Sequence, residues 1–233
     1  MGMNQILVMM VAVVLVGCSN DTPETSQAAE AEPQVATKPT PEPTPVSPAD
    51  EKLIADAIVE REIRKKIRKP KGEITEADLK KVISLGSFFG AQITDEGLKE
   101  VAKLQNLTEL NLNPIKITDT GFKEVAKLQK LITLSLWGGK ITEAGLKEVA
   151  KLQNLSELDL REIQITDAGL KELAKMQKLE EINLSNTKIT DVGLKELAKL
   201  QNLKQLWLNN TKVTKEGVAE LKKALPNCII SGP

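Results

Sequence analysis

The sequence repeats itself every 24 residues over most of its length. A truncated unit at 74–92 precedes five full units at 93–212, and a closing unit follows at 213–233. A unit of this size cannot bury an apolar face by itself, so neighbouring units have to stack and cover one another. The repeat therefore predicts a solenoid with atypical units at its ends. The residues that open successive units are Ile93, Ile117, Ile141, Ile165, Ile189 and Val213.

Each unit combines a helical pattern with a strand pattern. In the first full unit, Thr94 and the acids at 95–96 suit the start of a helix, because they can satisfy free N–H groups and favour the positive end of its dipole. Apolar residues then recur at helical spacing over 98–104 and approach strand alternation over 107–112. Gly97 has an equivalent in each full unit and in the closing unit, which indicates a close approach between stacked elements.

These motifs resemble the leucine-rich-repeat family over 74–230. The strand motif LxxLxL recurs in the full units, and the ITDxGL units are similar to those of secreted and lipid-anchored bacterial repeat proteins. The segment KPKGEITEADL, within 57–79, is similar to the N-terminal cap of internalin-type proteins. The resemblance implies an α/β leucine-rich-repeat solenoid, or horseshoe, with a parallel sheet on its concave face and helices on its convex face. It is specific for the fold and says little about function.

One position of the repeat departs from the family. Where the family often places an Asn whose amide satisfies the turn backbone, this chain has Ile115, Gly139, Ile163, Thr187 and Thr211. Only the two threonines are expected to replace the amide in part. Weaker order is therefore expected in the first three turns.

The first residues read as an export signal. An unbroken apolar run at 6–16 is too short to span a bilayer, which takes about 20 residues, but it suits a signal peptide over 1–17. The run ends in Leu-Val-Gly-Cys, which resembles a bacterial lipobox and implies cleavage before Cys18 and a diacylglycerol on its thiol. Ser19 favours the outer membrane by the same resemblance. The alternative is a chance cysteine after a short apolar segment.

Residues 18–50 are predicted to be a lipid anchor followed by a disordered tether. Seven of the 11 prolines of the chain fall in this range, which cannot build a sheet ladder or a core. Whether the segment acts as a spacer or as filler is left open by its composition.

Residues 51–92 are predicted to form a helical N-terminal cap that includes the truncated unit. An amphipathic helix is expected over 50–69, ended by Pro70 and Gly72. The range 61–71 holds seven basic residues. They suit a solvated face, and the alternatives are attraction to anionic headgroups or envelope polymers, and binding of nucleic acid.

Composition excludes several chemistries. The chain has no His, which rules out a Ser-His-Asp triad, a Cys-His dyad and His-ligated zinc or haem. Two distant cysteines cannot form a Cys₄ site, and Cys228 is expected to be a buried thiol of the closing unit, with a redox or disulfide role as the alternative. No cofactor and no metal are predicted. The 32 basic and 32 acidic residues give no footprint for nucleic acid.

The side chains between the strand leucines are expected to point out from the concave face. They form three columns: Glu109, Thr133, Glu157, Glu181 and Gln205; Asn111, Ser135, Asp159, Asn183 and Trp207; and Asn113, Trp137, Arg161, Ser185 and Asn209. These columns vary, whereas the convex pattern Lys-Glu-x-x-Lys is almost constant, so recognition is expected on the columns.

Six residues of this surface are the candidate ligand-binding residues: Trp137, Trp207, Arg161, Asp159, Glu157 and Glu181. The two tryptophans lie three strands apart, roughly 14–16 Å at about 4.8 Å per strand. Each is a candidate anchor for a protein or glycan, and the alternative is that they cover apolar edges of the sheet. Asp159, Glu157 and Arg161 are expected to form an ion network within the surface.

The sequence predicts a non-enzymatic scaffold, lipid-anchored in the bacterial envelope, that binds a protein partner on its concave face. The alternative is an envelope-structural or glycan-binding protein that acts through its basic cap and convex face. Catalysis is a weaker hypothesis: Glu157 and Glu181 on adjacent strands approach the carboxylate separation of a retaining glycosidase, about 5–5.5 Å, but on an open surface. No catalytic residue is predicted, and the oligomeric state is left open.

Overall fold

The computed structural model describes residues 52–86, 93–112, 117–138 and 140–233. After α1, helices and strands alternate along this part of the chain. The helices are α1 (Ala57–Ile67), α2 (Glu76–Leu79), α3 (Asp95–Val101), α4 (Asp119–Val125), α5 (Glu143–Val149), α6 (Asp167–Leu173), α7 (Asp191–Leu197) and α8 (Lys215–Ala224). The strands are β1 (Ser84–Leu85), β2 (Glu109–Asn111), β3 (Thr133–Ser135), β4 (Glu157–Asp159), β5 (Glu181–Asn183), β6 (Gln205–Trp207) and β7 (Ile229–Ser231). The predicted signal peptide and tether, with Cys18, lie outside the described residues.

The strands form one parallel sheet in the order β1-β2-β3-β4-β5-β6-β7. Each strand pairs with the equivalent residues of the next unit, so Leu110 is in register with Leu134, and Leu134 with Leu158. A helix crosses from each strand to the next. The predicted α/β leucine-rich-repeat solenoid is confirmed.

The core is a stack of equivalent apolar residues rather than a closed cluster within any one unit. The central strand positions, Leu110, Leu134, Leu158, Ile182 and Leu206, are all at most 2% exposed. Each contributes its apolar surface to a core shared with the neighbouring units, and burial of such a side chain contributes about 1.5–3 kcal/mol. The stability of a unit therefore depends on the units beside it.

Carboxylates join each unit to the next at the helix starts. Asp95 Oδ1 accepts the backbone N–H of Thr118 at 3.0 Å, and its Oδ2 accepts the Thr118 hydroxyl at 2.6 Å. Thr118 is the N-cap of α4, so one carboxylate fixes the start of the following helix. The same pair of bonds joins Asp119 to Thr142, Asp167 to Thr190 and Asp191 to Thr214. We call this row the carboxylate–threonine ladder.

The last joint of the ladder, between Asp191 and Thr214, gives part of the stability a dependence on pH. Hydrogen bonds from the Thr214 hydroxyl and N–H lower the pKa of Asp191 below its usual value. A carboxyl whose folded-state pKa is lowered stabilises the fold at neutral pH. That contribution is lost as the pH falls from the ordinary Asp range through the lowered value.

The repeated glycine leaves room for this carboxylate. A Cβ at Gly121 would lie 2.5 Å from Asp95 Oδ1, 2.7 Å from the Ile117 side chain and 2.9 Å from the Leu98 side chain. The predicted close approach is confirmed. The group that approaches most closely here is a carboxylate of the preceding unit, which the sequence pattern did not indicate.

The third full unit is the exception in the ladder. Glu143 replaces the aspartate there and accepts only the Thr166 hydroxyl, at 2.9 Å. Thr166 makes no side-chain cap bond to α6, unlike the N-cap threonines of the other repeat helices. The longer side chain places its carboxylate where it does not also accept the backbone N–H. The joint between the third and fourth full units is therefore the weakest point of the ladder.

The N-terminal cap differs from its prediction. The expected helix over 50–69 begins only at Ala57, because Asp56 accepts the N–H groups of Ile58 and Val59 and acts as its N-cap. The helix ends at Ile67, and Arg68 follows in the left-handed conformation with a φ of 55°. Ile54 precedes the helix but is still buried.

A buried carboxylate stabilises the turn after α1. Asp78 belongs to a capping box with Thr75 and pairs with Lys69 at 2.7 Å and with Lys81 at 2.9 Å. Hydrogen bonds from Lys69, and then from Lys81, hold the pKa of the Asp78 carboxyl well below its usual range. This cluster connects the basic end of α1 to the truncated repeat.

The closing unit and the later turns follow the prediction. Cys228 is a free, buried thiol, and desolvation raises its pKa, so the buried-thiol interpretation is confirmed. Thr187 and Thr211 donate their hydroxyls to Leu184 O at 2.7 Å and to Leu208 O at 2.8 Å. They satisfy turn carbonyls as expected. Positions 115 and 139 lie outside the described residues, and the expected weaker order of the first three turns stays a prediction.

We expect Gly121→Ala to destabilise the fold, because overpacking costs about 1–3 kcal/mol. The higher helix propensity of alanine offsets roughly 1 kcal/mol of that cost. The matched control is Gly169→Ala, since a Cβ there would lie 2.6 Å from the terminal methyl of Leu146 and 3.8 Å from Ile165 Cβ, with no carboxylate within 4 Å. Urea unfolding of the two variants measures the difference. Equal losses of stability would contradict the role given to the carboxylate.

We expect Glu143→Asp to strengthen the ladder by about 0.5–1.5 kcal/mol, the usual contribution of one hydrogen bond, because the shorter side chain can accept both Thr166 donors. Hydrogen exchange of the Thr166 amide should slow and the urea midpoint should rise. The reverse substitution, Asp119→Glu, is the control and should expose the Thr142 amide. An unchanged Thr166 exchange rate would show that geometry other than side-chain length breaks the ladder.

Candidate functional site

The exposed side of the sheet, called here the sheet face, carries the residues that the sequence predicted for the concave surface. Glu109 and Glu157 are exposed, and Glu181 and Gln205 are half-buried. Within the third column, Trp137, Arg161 and Asn209 are exposed, but Ser185 is only 7% exposed. The described column residues are therefore exposed or half-buried except Ser185, which is buried. Asn113 lies outside the described residues.

A depression of about 260 Å³ lies across strands β3 to β6 of the sheet face. Its polar rim includes Glu157, Glu181 and Asp159, and Trp207 forms its aromatic wall. The remaining residues that line it are Thr133, Leu134, Ser135, Leu158 and Asn183. Alternation along each short strand positions these side chains, since every second residue points away from the core. We call this cavity the Trp207 depression.

Threonine and serine hydroxyls orient the carboxylates of the depression. Thr133 Oγ1 donates to Glu157 Oε2 at 3.3 Å, and Ser135 Oγ donates to Asp159 Oδ2 at 3.4 Å. Both bonds join register-matched residues of adjacent strands. The sequence places Thr133 and Ser135 in the same columns as the acids, but they were not selected as site residues. Their position one unit before each acid predicts a contact between neighbouring strands.

Arg161 lies beside the depression and is held in a fixed position. Its Nε and one terminal nitrogen donate to both oxygens of Asp159, at 2.7–3.0 Å. The guanidinium carbon lies 5.8 Å from the centroid of the Trp137 ring, within cation–π range. The Asp159 carboxylate raises the pKa of the Arg161 guanidinium. The predicted ion network is thus an Asp159–Arg161 pair stacked on Trp137, and Glu157 does not join it.

The structure divides the six predicted residues into two groups. Trp207, Glu157 and Glu181 line the depression, whereas Trp137 and Arg161 form the neighbouring stack. Asp159 belongs to both groups, because it lines the depression and binds Arg161. The predicted separation of the tryptophans by three strands is confirmed by the strand order.

The described residues contain no group of three or more Cys, Asp or Glu side chains that could hold a metal ion. Glu157 and Glu181 are register-matched neighbours, as the glycosidase hypothesis requires. Both line the same depression, where a hydroxyl from Thr133 contacts one of them. Matched register in an open depression does not by itself divide acid and base roles between the two carboxyls.

A second cavity lies on the N-terminal cap. It measures about 640 Å³ and is lined along α1 by Ala57, Glu60, Arg61, Arg64, Lys65, Arg68 and Pro70. Arg61 and Lys65 both pair with Glu62, and Arg64 pairs with Glu60, so part of the basic charge is neutralised. We call this cavity the basic groove.

The helix side of the solenoid is a field of charged pairs. In each full unit a lysine pairs with the glutamate three residues earlier, from Lys103 with Glu100 to Lys199 with Glu196. Such exposed pairs contribute little each, about 0–1 kcal/mol. No helix in the described ranges is long and apolar enough to cross a membrane.

Parallel strands in exact repeat, a solvent-exposed sheet with an aromatic depression and a regular outer row of helices define a repeat scaffold of the kind consistent with protein binding. A family model described as a leucine-rich repeat region matches residues 74–231. The chain therefore belongs to the leucine-rich-repeat family.

Solved structures place it near bacterial members of that family. Internalin C2 of Listeria monocytogenes is 27% identical with a TM-score of 0.59, over 76% of this chain and 83% of that one. Internalin F of the same organism is 25% identical with a TM-score of 0.56, over 77% of this chain and 56% of that one. A leucine-rich-repeat protein of Leptospira interrogans is 30% identical with a TM-score of 0.52, over 66% of this chain and 38% of that one. The chain thus spans only part of the last two, and a search of curated proteins finds no significant match.

Proposed function

We propose that this protein is a non-enzymatic scaffold that binds a protein partner on its sheet face while a lipid on Cys18 holds it in the bacterial envelope. The observation that carries the binding proposal is the Trp207 depression beside the Trp137–Arg161 stack. Aromatic and arginine side chains dominate the binding energy of many interfaces, and here they lie on the surface that varies between otherwise uniform repeats.

Rigidity supports the same proposal. Trp137 is 42% exposed, yet Arg161 is stacked on it and is itself held by Asp159. Trp207 projects from the sheet itself, between strand neighbours that share its register. Anchors that are already ordered lose little conformational freedom when a partner binds.

Lipid anchoring rests on the N-terminal sequence alone. An apolar run, a Leu-Val-Gly-Cys box and a Pro-rich segment follow one another in the order that export, cleavage and tethering require. Ser19 after the cysteine favours the outer membrane by resemblance to Gram-negative lipoproteins. We propose an outer-membrane or periplasm-facing location in the bacterial envelope.

The lipid proposal predicts that the full chain, expressed in a Gram-negative bacterium, incorporates a radiolabelled or clickable fatty acid and fractionates with membranes. Cys18→Ser should abolish both, because only a thiol at that position can accept the diacylglycerol. Cys228→Ser is the matched control and should retain the label. A labelled Cys18→Ser variant would refute acylation at this site.

The binding proposal predicts that the full chain, purified in detergent and immobilised, captures a discrete envelope protein that the Trp137→Ala/Trp207→Ala variant does not retain. Loss of one buried aromatic anchor typically costs about 2 kcal/mol or more of binding free energy. The double variant should therefore bind the partner at least about thirtyfold more weakly than the parent. Val192→Ala, which truncates an exposed apolar side chain of α7, is the control and should bind like the parent.

The same experiment tests the second candidate function, in which the basic groove and the helix side bind glycans or other anionic envelope polymers. The size of the groove and the arginines along it favour this candidate. Capture that survives the loss of both tryptophans and is released by salt would move the function to the groove, because salt screens charge-driven binding.

A further inference from the structure

The Trp207 depression keeps like charges side by side. Glu157 and Glu181 are paired in register on adjacent parallel strands, which lie about 4.8 Å apart. Like charges at neighbouring sheet positions destabilise a fold. Within the described residues neither carboxylate forms an ion pair, whereas Asp159 is already paired with Arg161. The fold thus tolerates an unfavourable arrangement that a cation would relieve.

The aromatic wall favours the same kind of ligand. Trp207 lines the depression together with both glutamates, and the face of an indole ring attracts ammonium and guanidinium groups. The neighbouring Trp137 already holds a guanidinium in this way, that of Arg161 at 5.8 Å. An aromatic wall and two carboxylates that have no ion-pair partner among the described residues are independent features, and both select a positive charge.

The wider sheet face also carries an excess of negative charge. Its described column residues include four carboxylates, on Glu109, Glu157, Asp159 and Glu181, and one guanidinium, on Arg161. A concentration of one sign on one surface raises the local concentration of opposite charges and speeds their association. Basic residues line the groove on α1 instead, and a lysine of each full-unit helix row is paired with a glutamate.

We propose that the Trp207 depression binds a lysine or arginine side chain of an extended, basic segment of the protein partner, with Glu157 and Glu181 pairing its charge and Trp207 covering its stem. The inference rests on the proposed function and adds the chemistry of the partner. A lysine or arginine stem is apolar and its head is charged, which matches an aromatic wall below a carboxylate rim. The cavity of about 260 Å³ accommodates a single side chain of this kind rather than a folded element.

The test uses the ¹⁵N-labelled full chain in detergent and a nine-residue peptide that alternates Thr and Lys. The chain has two tryptophans, so its two indole N–H signals report on the two groups of the site and can be assigned with single Trp→Phe variants. The lysine peptide should shift the Trp207 signal in a saturable manner, whereas a Thr-Glu peptide of equal length should not. Equal or stronger binding of the Thr-Glu peptide would overturn the proposal.

The deciding variant is Glu157→Gln/Glu181→Gln, which keeps side-chain size and removes both charges. It should weaken binding of the lysine peptide roughly tenfold or more, the scale expected for a charge-assisted hydrogen bond. Glu216→Gln/Glu220→Gln on α8 removes the same number of charges elsewhere and should bind like the parent. The site variant should also melt at an equal or higher temperature, because it relieves repulsion, so a loss of binding cannot be assigned to unfolding. Unchanged binding by the site variant would refute the inference.

The partner captured on the sheet face separates this inference from the function on which it rests. If Trp137→Ala/Trp207→Ala loses the partner but Glu157→Gln/Glu181→Gln retains it, the result supports binding on the sheet face. It refutes the recognition of a basic segment. A partner retained by both variants would remove both proposals. If both variants lose the partner and both also bind the lysine peptide more weakly than the parent, the result supports both proposals.

Discussion

The structure depends on the burial of each repeat's apolar side chains against the neighbouring repeats. A 24-residue unit contributes one short strand and one short helix, and its leucines are buried only because the next unit presents the same residues in register. All contacts of this kind involve the inner side of the sheet and the helix starts. Some outward side chains also form a hydrogen bond across a joint, as Thr133 does to Glu157 and Ser135 to Asp159. The outward side chains are not part of the shared apolar core, so their identity can differ from unit to unit. The sheet face is therefore the surface on which the repeats differ most.

The carboxylate–threonine ladder explains why three separated residues repeat together. The threonine caps its own helix, the aspartate after it reaches forward to the next threonine, and the glycine leaves space for the aspartate of the preceding unit. A change at one of the three positions alters the contacts of the other two across a repeat boundary. Glu143 shows the coupling: the carboxylate is longer there, one of its two bonds is absent, and Gly169 has no carboxylate against it.

Much of this could be predicted from the sequence, because periodicity encodes contacts between equivalent positions. The repeat fixed the helices, the strand register and the outward columns, including the three-strand separation of Trp137 and Trp207. The start of α1 was predicted too early because Leu53 and Ile54 extend the apolar pattern past the Asp56 cap. The stack of Arg161 on Trp137 and the burial of Ser185 could not be predicted, since they depend on side-chain rotamers and on differences between neighbouring units. The assignments for residues 1–50 stay predictions.

Charge is sorted by surface in this protein, and the sorting bears on how it recognises a partner. Opposite charges pair along the helices, from Glu100–Lys103 onward, where their net field is small. On the sheet face Asp159 is neutralised by Arg161, but Glu157 and Glu181 are held next to each other by backbone register. The hydrogen-bonded strands keep the two backbone positions adjacent, so both carboxylates are available to one cationic ligand. A rigid sheet that presents two adjacent carboxylates favours a cationic ligand, because little conformational freedom is lost when that ligand binds.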